Sequence, residues 1–243
     1  MEARLARIRE EERLYHEDCY ANHKLFEPGS WLHKPVQTVM RYWSMLDDRS
    51  NVKVLDLGSG VGRNSIPIAQ SLIGRGGKVI CVDLIDSALR MLERYSEQYG
   101  VSALIEPVQS DIGEYAIHPD SFDYMIAVST LEHIASVEQL TKTLDRMRQG
   151  TVQGGLNVII IGTNVEERDI ATGVIEETMF EINLTTPEAF ALLNDTYKGW
   201  TVLKQHAKPL SFSIARGQQQ RSLMSDCITY VVQRSDRSEE EDA

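Results

Sequence analysis

The segment NVKVLDLGSGVGRNSIPIAQ, residues 51–70, sets one carboxylate and three glycines at alternate positions: Asp56, Gly58, Gly60 and Gly62. Glycines this dense cost conformational entropy on folding. Either a sharp strand-to-helix corner or a ligand that must reach the backbone accounts for them. In an α/β sheet such a corner, at the carboxyl end of a strand, is where ligands bind. The dinucleotide fingerprint GxGxxG does not fit: Arg63 stands where its third glycine belongs, and Asp56 precedes the first glycine by two residues. Two more acids close or follow apolar runs, Asp83 in VICVD and Asp111 in VQSDIGEY. The run AVSTLEHI then brings Val128, Ser129, Glu132 and His133 together. Imidazole titrates near neutral pH, so His133 is the candidate general base. The competing reading is a structural histidine bonded to a neighbouring backbone group, with Glu132 a structural or solvated acid.

These residues need a scaffold, and the chain supplies alternating strand and helix patterns. Residues 2–20 read as a charged helix, and KPVQTVMRYWSML as a second, with Pro35 at its first position and Val36, Val39, Met40 and Trp43 on one stripe. Val52–Leu57 and KVICVD are buried strands, followed by helical spacing at Ile66, Ala69 and Ile73 and by a helix capped by Asp86 that stops at Gly100. ALIEPV and FDYMIAVS are further strands. Ser136 and Gln139 stand at capping-box spacing before another helix, and LNVIIIGT is the most apolar strand. Apolar runs without alternation imply burial on both faces, which a central parallel sheet imposes. Thr186-Pro187 opens a helix to about Asn194. TVLKQHA and DCITYVVQ then predict an antiparallel strand pair, with residues 208–221 between them as a long loop or insertion.

Bulk properties bound the reading. The 243 residues suit one α/β domain with a small appendage, and no apolar run approaches the roughly 20 residues a membrane helix needs. The amino-terminal segment has no apolar centre, so it is not a secretory signal. Cys19, Cys81 and Cys227 are scattered, which argues against zinc, points away from a disulfide framework and makes the cytoplasm the expected location. Net charge is −11, and about −7 without the four acids of the terminal SEEEDA, which reads as a disordered tail. An acidic body disfavours nucleic-acid partners.

The motif LDLGSGVGRNSIPIA resembles the class I S-adenosylmethionine-dependent methyltransferases, most closely the tellurite-resistance type. STLEHI is similar to related small-molecule methyltransferases, including those of quinone biosynthesis. The resemblance spans roughly residues 35–205 and is firm for the cofactor half. It implies a doubly wound, seven-stranded, mostly parallel sheet with the last strand antiparallel and an N-terminal helical lid. The domain plan is a cap at 1–34, a methyltransferase domain at 35–234 and the acidic tail at 235–243. The implied cofactor is S-adenosylmethionine. Asp83 would accept from both ribose hydroxyls, with Leu84 beside it. Asp111 would meet the adenine amino group and the Ile112 N–H the ring. Gly58, Ser59 and Gly60 would approach the methionine portion, and Gly62 would permit close packing at the helix start. Asp56 either orients the ammonium group or braces the loop. Arg63 and Asn64 either face solvent or touch the ligand. Val128 and Ser129 line the transfer cavity with His133.

A sulfonium donor is already activated, so orientation supplies most of the catalysis, with effective molarities of about 10⁵ M or more. A phenol or alcohol acceptor needs a base; a thiolate, carboxylate or oxyanion does not. The acceptor site should come from outside the sheet: from Tyr15, His16, Tyr20, His23 and Trp31 near the N-terminus, or from 208–221 with Phe212, Arg216 and Arg221. A small-molecule acceptor is the primary reading. The alternatives are RNA or protein methylation, a nicotinamide-dependent oxidoreductase, and a binder of S-adenosylmethionine or S-adenosylhomocysteine that transfers nothing.

Overall fold

The computed structural model describes residues 2–216 and 219–235, with side chains from 3–214 and 219–235. Five strands run parallel: β1 (Val52–Leu57), β2 (Gly77–Asp83), β3 (Ile105–Gln109), β4 (Phe122–Val128) and β5 (Thr151–Asp169). β6 (Ile175–Glu176) adds two residues antiparallel to β5. β7 (Thr201–Arg216) and β8 (Gln219–Gln233) form a hairpin, and β8 pairs antiparallel with β5. The order is β3-β2-β1-β4-β5-β8-β7. Seven strands therefore make the main sheet, mostly parallel with an antiparallel end, as the sequence implies. Val54, Leu55, Leu57, Tyr124, Met125 and Ile126 are wholly buried, because helices cover both faces.

The helices are α1 (Glu2–Asn22), α2 (Gln37–Trp43), α3 (Ser65–Ser71), α4 (Asp86–Gln98), α5 (Val137–Gly150) and α6 (Thr186–Thr196). Several starts differ from the sequence reading. α2 begins at Gln37, not Pro35, and the N–H of Val36 is taken by Asn64 Oδ1 at 2.9 Å. Asp86 does not cap α4: Ile85 holds that position, and Asp86 pairs with Arg90 one turn on. Ser136 accepts from the Gln139 N–H, but the Gln139 side chain turns to Glu114 and leaves the box half made. The full box occurs at α6, between Thr185 and Glu188. Ile73 lies beyond α3 and is exposed.

The largest departure is residues 208–221. The described residues there are not a loop: β7 and β8 stay paired from Thr201↔Gln233 to Arg216↔Gln219. β5 also runs past the sheet, with a register shift between Thr163 and Glu166 where Asn164 adopts φ 49°. A bulge of this kind bends and twists its strand. Asn164 holds the bend by donating to Asp226 Oδ2 at 2.8 Å. The three strands thus extend beyond the carboxyl end of the sheet as one bent ribbon. The expected acidic tail lies outside the described residues apart from Ser235.

Candidate active site

The chain order reverses between β1 and β4, and their carboxyl ends open into a cavity of about 600 Å³. The loop after β1 forms its floor. Gly58 and Ser59 donate their N–H groups to the Val82 carbonyl at 2.8 and 3.1 Å, which pins the loop to β2. Gly58 has φ +71°, and a Cβ there would lie 2.2 Å from Thr130 Oγ1, so only glycine fits. The Ser59 hydroxyl lines the cavity, buried and without a hydrogen-bond partner.

Asp83 closes β2 and lines the cavity, 9 % exposed. Its Oδ2 accepts from Gly60 N at 2.8 Å and its Oδ1 from Ile85 N at 2.9 Å. Burial pushes its carboxyl upward while these two N–H groups pull it back. Asp83 thus fastens the glycine loop to the turn before α4. Asp111 also reaches the cavity, but its Oδ2 accepts from Arg9 of α1 at 2.5 Å. Leu84, Ile112, Val128 and Ser129 complete this side. Ser129 holds φ 51°, a strained conformation for a residue with a side chain, at the tip of β4.

Asp56 and Gly62 lie behind the wall rather than on it. Asp56 is 1 % exposed and accepts a hydrogen bond from the Ser65 hydroxyl at the start of α3, so of its two open roles the geometry is that of a brace. A Cβ on Gly62 would lie 2.4 Å from Leu92 Cδ1, which makes that glycine a packing position. Burial pushes Asp56 up to about 7, with the Ser65 bond opposing. The native state therefore holds this proton more tightly than the unfolded chain, where the group titrates near 4, and the resulting stability declines as pH rises from about 4 to about 7. Asp56→Asn should flatten that decline by a few kcal/mol at most, since the amide oxygen still accepts from Ser65. Urea unfolding of both proteins at pH 4.5 and 7.5 tests this, and parallel slopes would refute it.

α1 roofs the cavity with Arg9, Glu12, Arg13, Tyr15, His16 and Tyr20. His16, Tyr20 and Trp31 form an aromatic cluster, with ring centroids 5.6–6.2 Å apart. Arg63 stacks on Trp31 at 4.9 Å and donates to its carbonyl at 2.9 Å. Asn64 lines the cavity and secures the Val36 N–H. His23 instead packs beside Gly29 and does not line the cavity. The clasp between lid and body is ionic: Arg4 and Arg7 meet Glu177, and Arg9 meets Asp111.

His133 stands under this lid with both ring nitrogens engaged. Nδ1 lies 2.9 Å from Glu181 Oε2 and Nε2 lies 3.4 Å from Glu12 Oε1, while Phe180 stacks on the ring at 5.1 Å. Burial alone would lower its pKa, but Glu12, the bond to Glu181 and nearby Glu132 outweigh it and hold the imidazole at about 9. It is an imidazolium at neutral pH and has no free lone pair, the opposite of what a general base requires. Glu132 is buried; its Oε1 accepts from Gly162 N at 3.0 Å, and burial pushes its carboxyl upward.

The far wall is the bent ribbon. Leu210, Phe212 and Ile214 of β7 and Leu223, Ser225 and Cys227 of β8 face the cavity with Val165 of β5 and Phe180. Leu210, Phe212 and Ile214 fall in the segment 208–221 that sequence reasoning offered for the acceptor, with Phe212 alone of the three named there; the β8 residues, Val165, Phe180, Arg9, Glu12 and Glu181 were not found as site residues. The signal for β7 was present: Leu210, Phe212 and Ile214 alternate at period two within a segment broken by Pro209. The Arg221 side chain pairs with Glu167 and Glu176 away from the cavity, and the Arg216 side chain lies outside the described residues.

Among known proteins, the family model described as methyltransferase domain matches residues 54–155. Two ubiquinone/menaquinone biosynthesis C-methyltransferases are similar over 99 residues: that of Cronobacter sakazakii at 27 % identity and that of Proteus mirabilis at 26 %. Each match covers 41 % of this chain and 39 % of the relative, so the chain spans about two fifths of the length of these proteins. Among solved structures, TehB from Haemophilus influenzae superimposes with a TM-score of 0.61 at 21 % identity, covering 82 % of this chain and 62 % of that one. A 1,6-didemethyltoxoflavin-N1-methyltransferase from Burkholderia thailandensis, solved with S-adenosylhomocysteine, gives 0.53 at 16 %, covering 82 % and 78 %. The matched family model, on the sheet order and glycine corner described above, gives this chain a methyltransferase domain over residues 54–155.

Proposed function

We propose that the protein transfers a methyl group from S-adenosylmethionine to a small molecule by orienting the two, without a nucleophile or base of its own. One observation carries this reading: a glycine cradle tied to the strand-end carboxylate of Asp83 opens into the same cavity as an apolar chamber. The residues fit the cofactor. Gly58 leaves no room for a side chain, the Ser59 hydroxyl is buried without a partner, and Asp83 lines the cavity as a strand-end carboxyl able to accept from hydroxyls. We assign Asp83 and Leu84 to the ribose and Asp111 and Ile112 to the adenine. Gly58, Ser59 and Gly60 take the methionine portion, Val128 and Ser129 flank the transferred methyl, and Asp56 supports the loop from behind. Arg63 and Asn64 tie the cavity wall to residues 31–36.

The bound cofactor supplies a sulfonium methyl that needs no further activation. The chain's part is to align the acceptor and exclude water, with α1 as the roof and the ribbon as the wall. A roofed cavity of about 600 Å³ suits a small acceptor better than a nucleic acid or a protein surface, as does the net charge of −11. Residues 35–234 then act as the methyltransferase unit with 1–34 as its lid. The three cysteines are free, and no described helix is long and apolar enough to cross a membrane.

Calorimetry should find one S-adenosylhomocysteine per chain at micromolar affinity, about −8 kcal/mol, and no heat from NAD. Tight NAD binding without S-adenosylhomocysteine binding would overturn the proposal.

A further inference from the structure

The acceptor chamber has a charge pattern that selects its occupant. Every cation lining the cavity among the described residues is already engaged. Arg9 pairs with Asp111 at 2.5 Å and lies 3.8 Å from Glu181; Arg13 pairs with Glu10 and Glu17; His133 meets Glu12 and Glu181. Arg63, on the cofactor side, stacks on Trp31. Among the described lining residues an anionic acceptor would find Arg63, on the cofactor side and held by Trp31, as the one cation not facing a carboxylate, and would meet the Glu132 carboxyl, whose Oε2 is buried without a partner. The opposite wall is apolar, with Val165, Ile214 and Leu223 packed together, Phe180 against them and Phe212 exposed at the rim. Desolvating a charge against such a surface is costly. Phenols and alcohols are disfavoured for a separate reason: they need a base, both nitrogens of His133 are occupied, and burial favours the protonated form of Glu132.

We propose, resting on the methyltransferase reading above, that the acceptor is an uncharged, apolar, ring-sized molecule that attacks through a neutral nitrogen. In that step the nitrogen lone pair forms the N–C bond as the C–S bond breaks. The C–S electron pair stays on sulfur, and any N–H proton of the product leaves to water. The ring lies against Phe212, Ile214 and Leu223, and this contact, not a charge pair, sets its affinity.

The test uses two fluorescent probes with the same ring system, neutral N-phenyl-1-naphthylamine and anionic 1-anilinonaphthalene-8-sulfonate, each titrated with S-adenosylhomocysteine saturating. The neutral probe should bind about tenfold more tightly or better. Phe212→Arg, at an exposed rim position, should weaken the neutral probe about tenfold and strengthen the sulfonate. S-adenosylhomocysteine affinity, measured separately, should stay unchanged in the variant, so a failure of the methyltransferase reading is told apart from a failure of this one. Equal or tighter sulfonate binding by the wild type, or no binding of the neutral probe, overturns the proposal. With labelled methyl donor, transfer to arylamines and azaheterocycles should exceed transfer to the matched phenols and carboxylates, and the reverse order overturns it as well.

Discussion

Asp83→Ala should weaken S-adenosylhomocysteine binding by about 30- to 1000-fold. The carboxylate is assigned two ribose hydroxyls. Two charge-assisted bonds, partly compensated by water, amount to roughly 2–4 kcal/mol, at 1.4 kcal/mol per decade. The same change should also lower stability. Asp83 accepts from Gly60 N and Ile85 N, and alanine leaves both donors unmet at a site only 9 % exposed. An unmet buried donor costs about 1–3 kcal/mol, partly offset because the carboxyl itself is unfavourably buried. Asp83→Asn should lose less of both, since its amide oxygen still accepts one bond. Calorimetry beside urea unfolding without ligand separates the two effects. Binding within threefold of wild type would remove Asp83 from the ribose, whatever happens to stability.

His133→Ala should destabilise the protein by about 3 kcal/mol at neutral pH and much less at pH 10. The imidazolium is the shared partner of Glu181, whose side chain is 2 % exposed, and of Glu12 on the lid. Removing one member of a buried pair leaves an uncompensated charge, at a cost of about 3–5 kcal/mol; the lower end applies because His133 is itself 20 % exposed. Its folded pKa is raised to about 9, against about 6.5 for a free imidazole. The stability this gives is present in full below about pH 6.5 and is lost as pH climbs through about 9. Wild type should therefore lose stability between pH 7 and pH 10, and His133→Ala should not. His133→Gln should retain hydrogen bonding without the pH dependence. Identical pH profiles for wild type and His133→Ala would refute the imidazolium clasp. If His133→Gln keeps its stability yet turns over about a hundredfold more slowly or worse, the histidine is restored as a base.

The cofactor half was legible because its signals are local. A glycine spacing, an acid two residues ahead and acids closing two apolar runs are all read within windows of a few residues, and parallel strands advertise themselves by continuous apolar runs. Gly58, Gly60 and Asp83 meet because the sheet stacks successive strand ends, so sequence order nearly dictates their neighbourhood. The acceptor half was not legible in this way. Glu12 and His133 are separated by 121 positions, and Arg9 and Asp111 by 102. No local pattern announces such pairs, and they decide that His133 is an imidazolium with no free nitrogen. Asp56, the most suggestive acid of the motif, proved to face Ser65 behind the wall, because direction along a strand end depends on the helix that follows it. The ribbon is the clearest case. Leu210, Phe212 and Ile214 alternate as a strand should, yet Pro209 and the surrounding polar residues read as a loop. Only pairing with β8 over fifteen positions, and the bend in β5 at Asn164, turns that segment into the wall of the chamber. The sequence by itself determined the fold and the kind of cofactor; long-range pairing decided the charge state, the roof and the apolar wall, because those depend on which distant side chains are desolvated together.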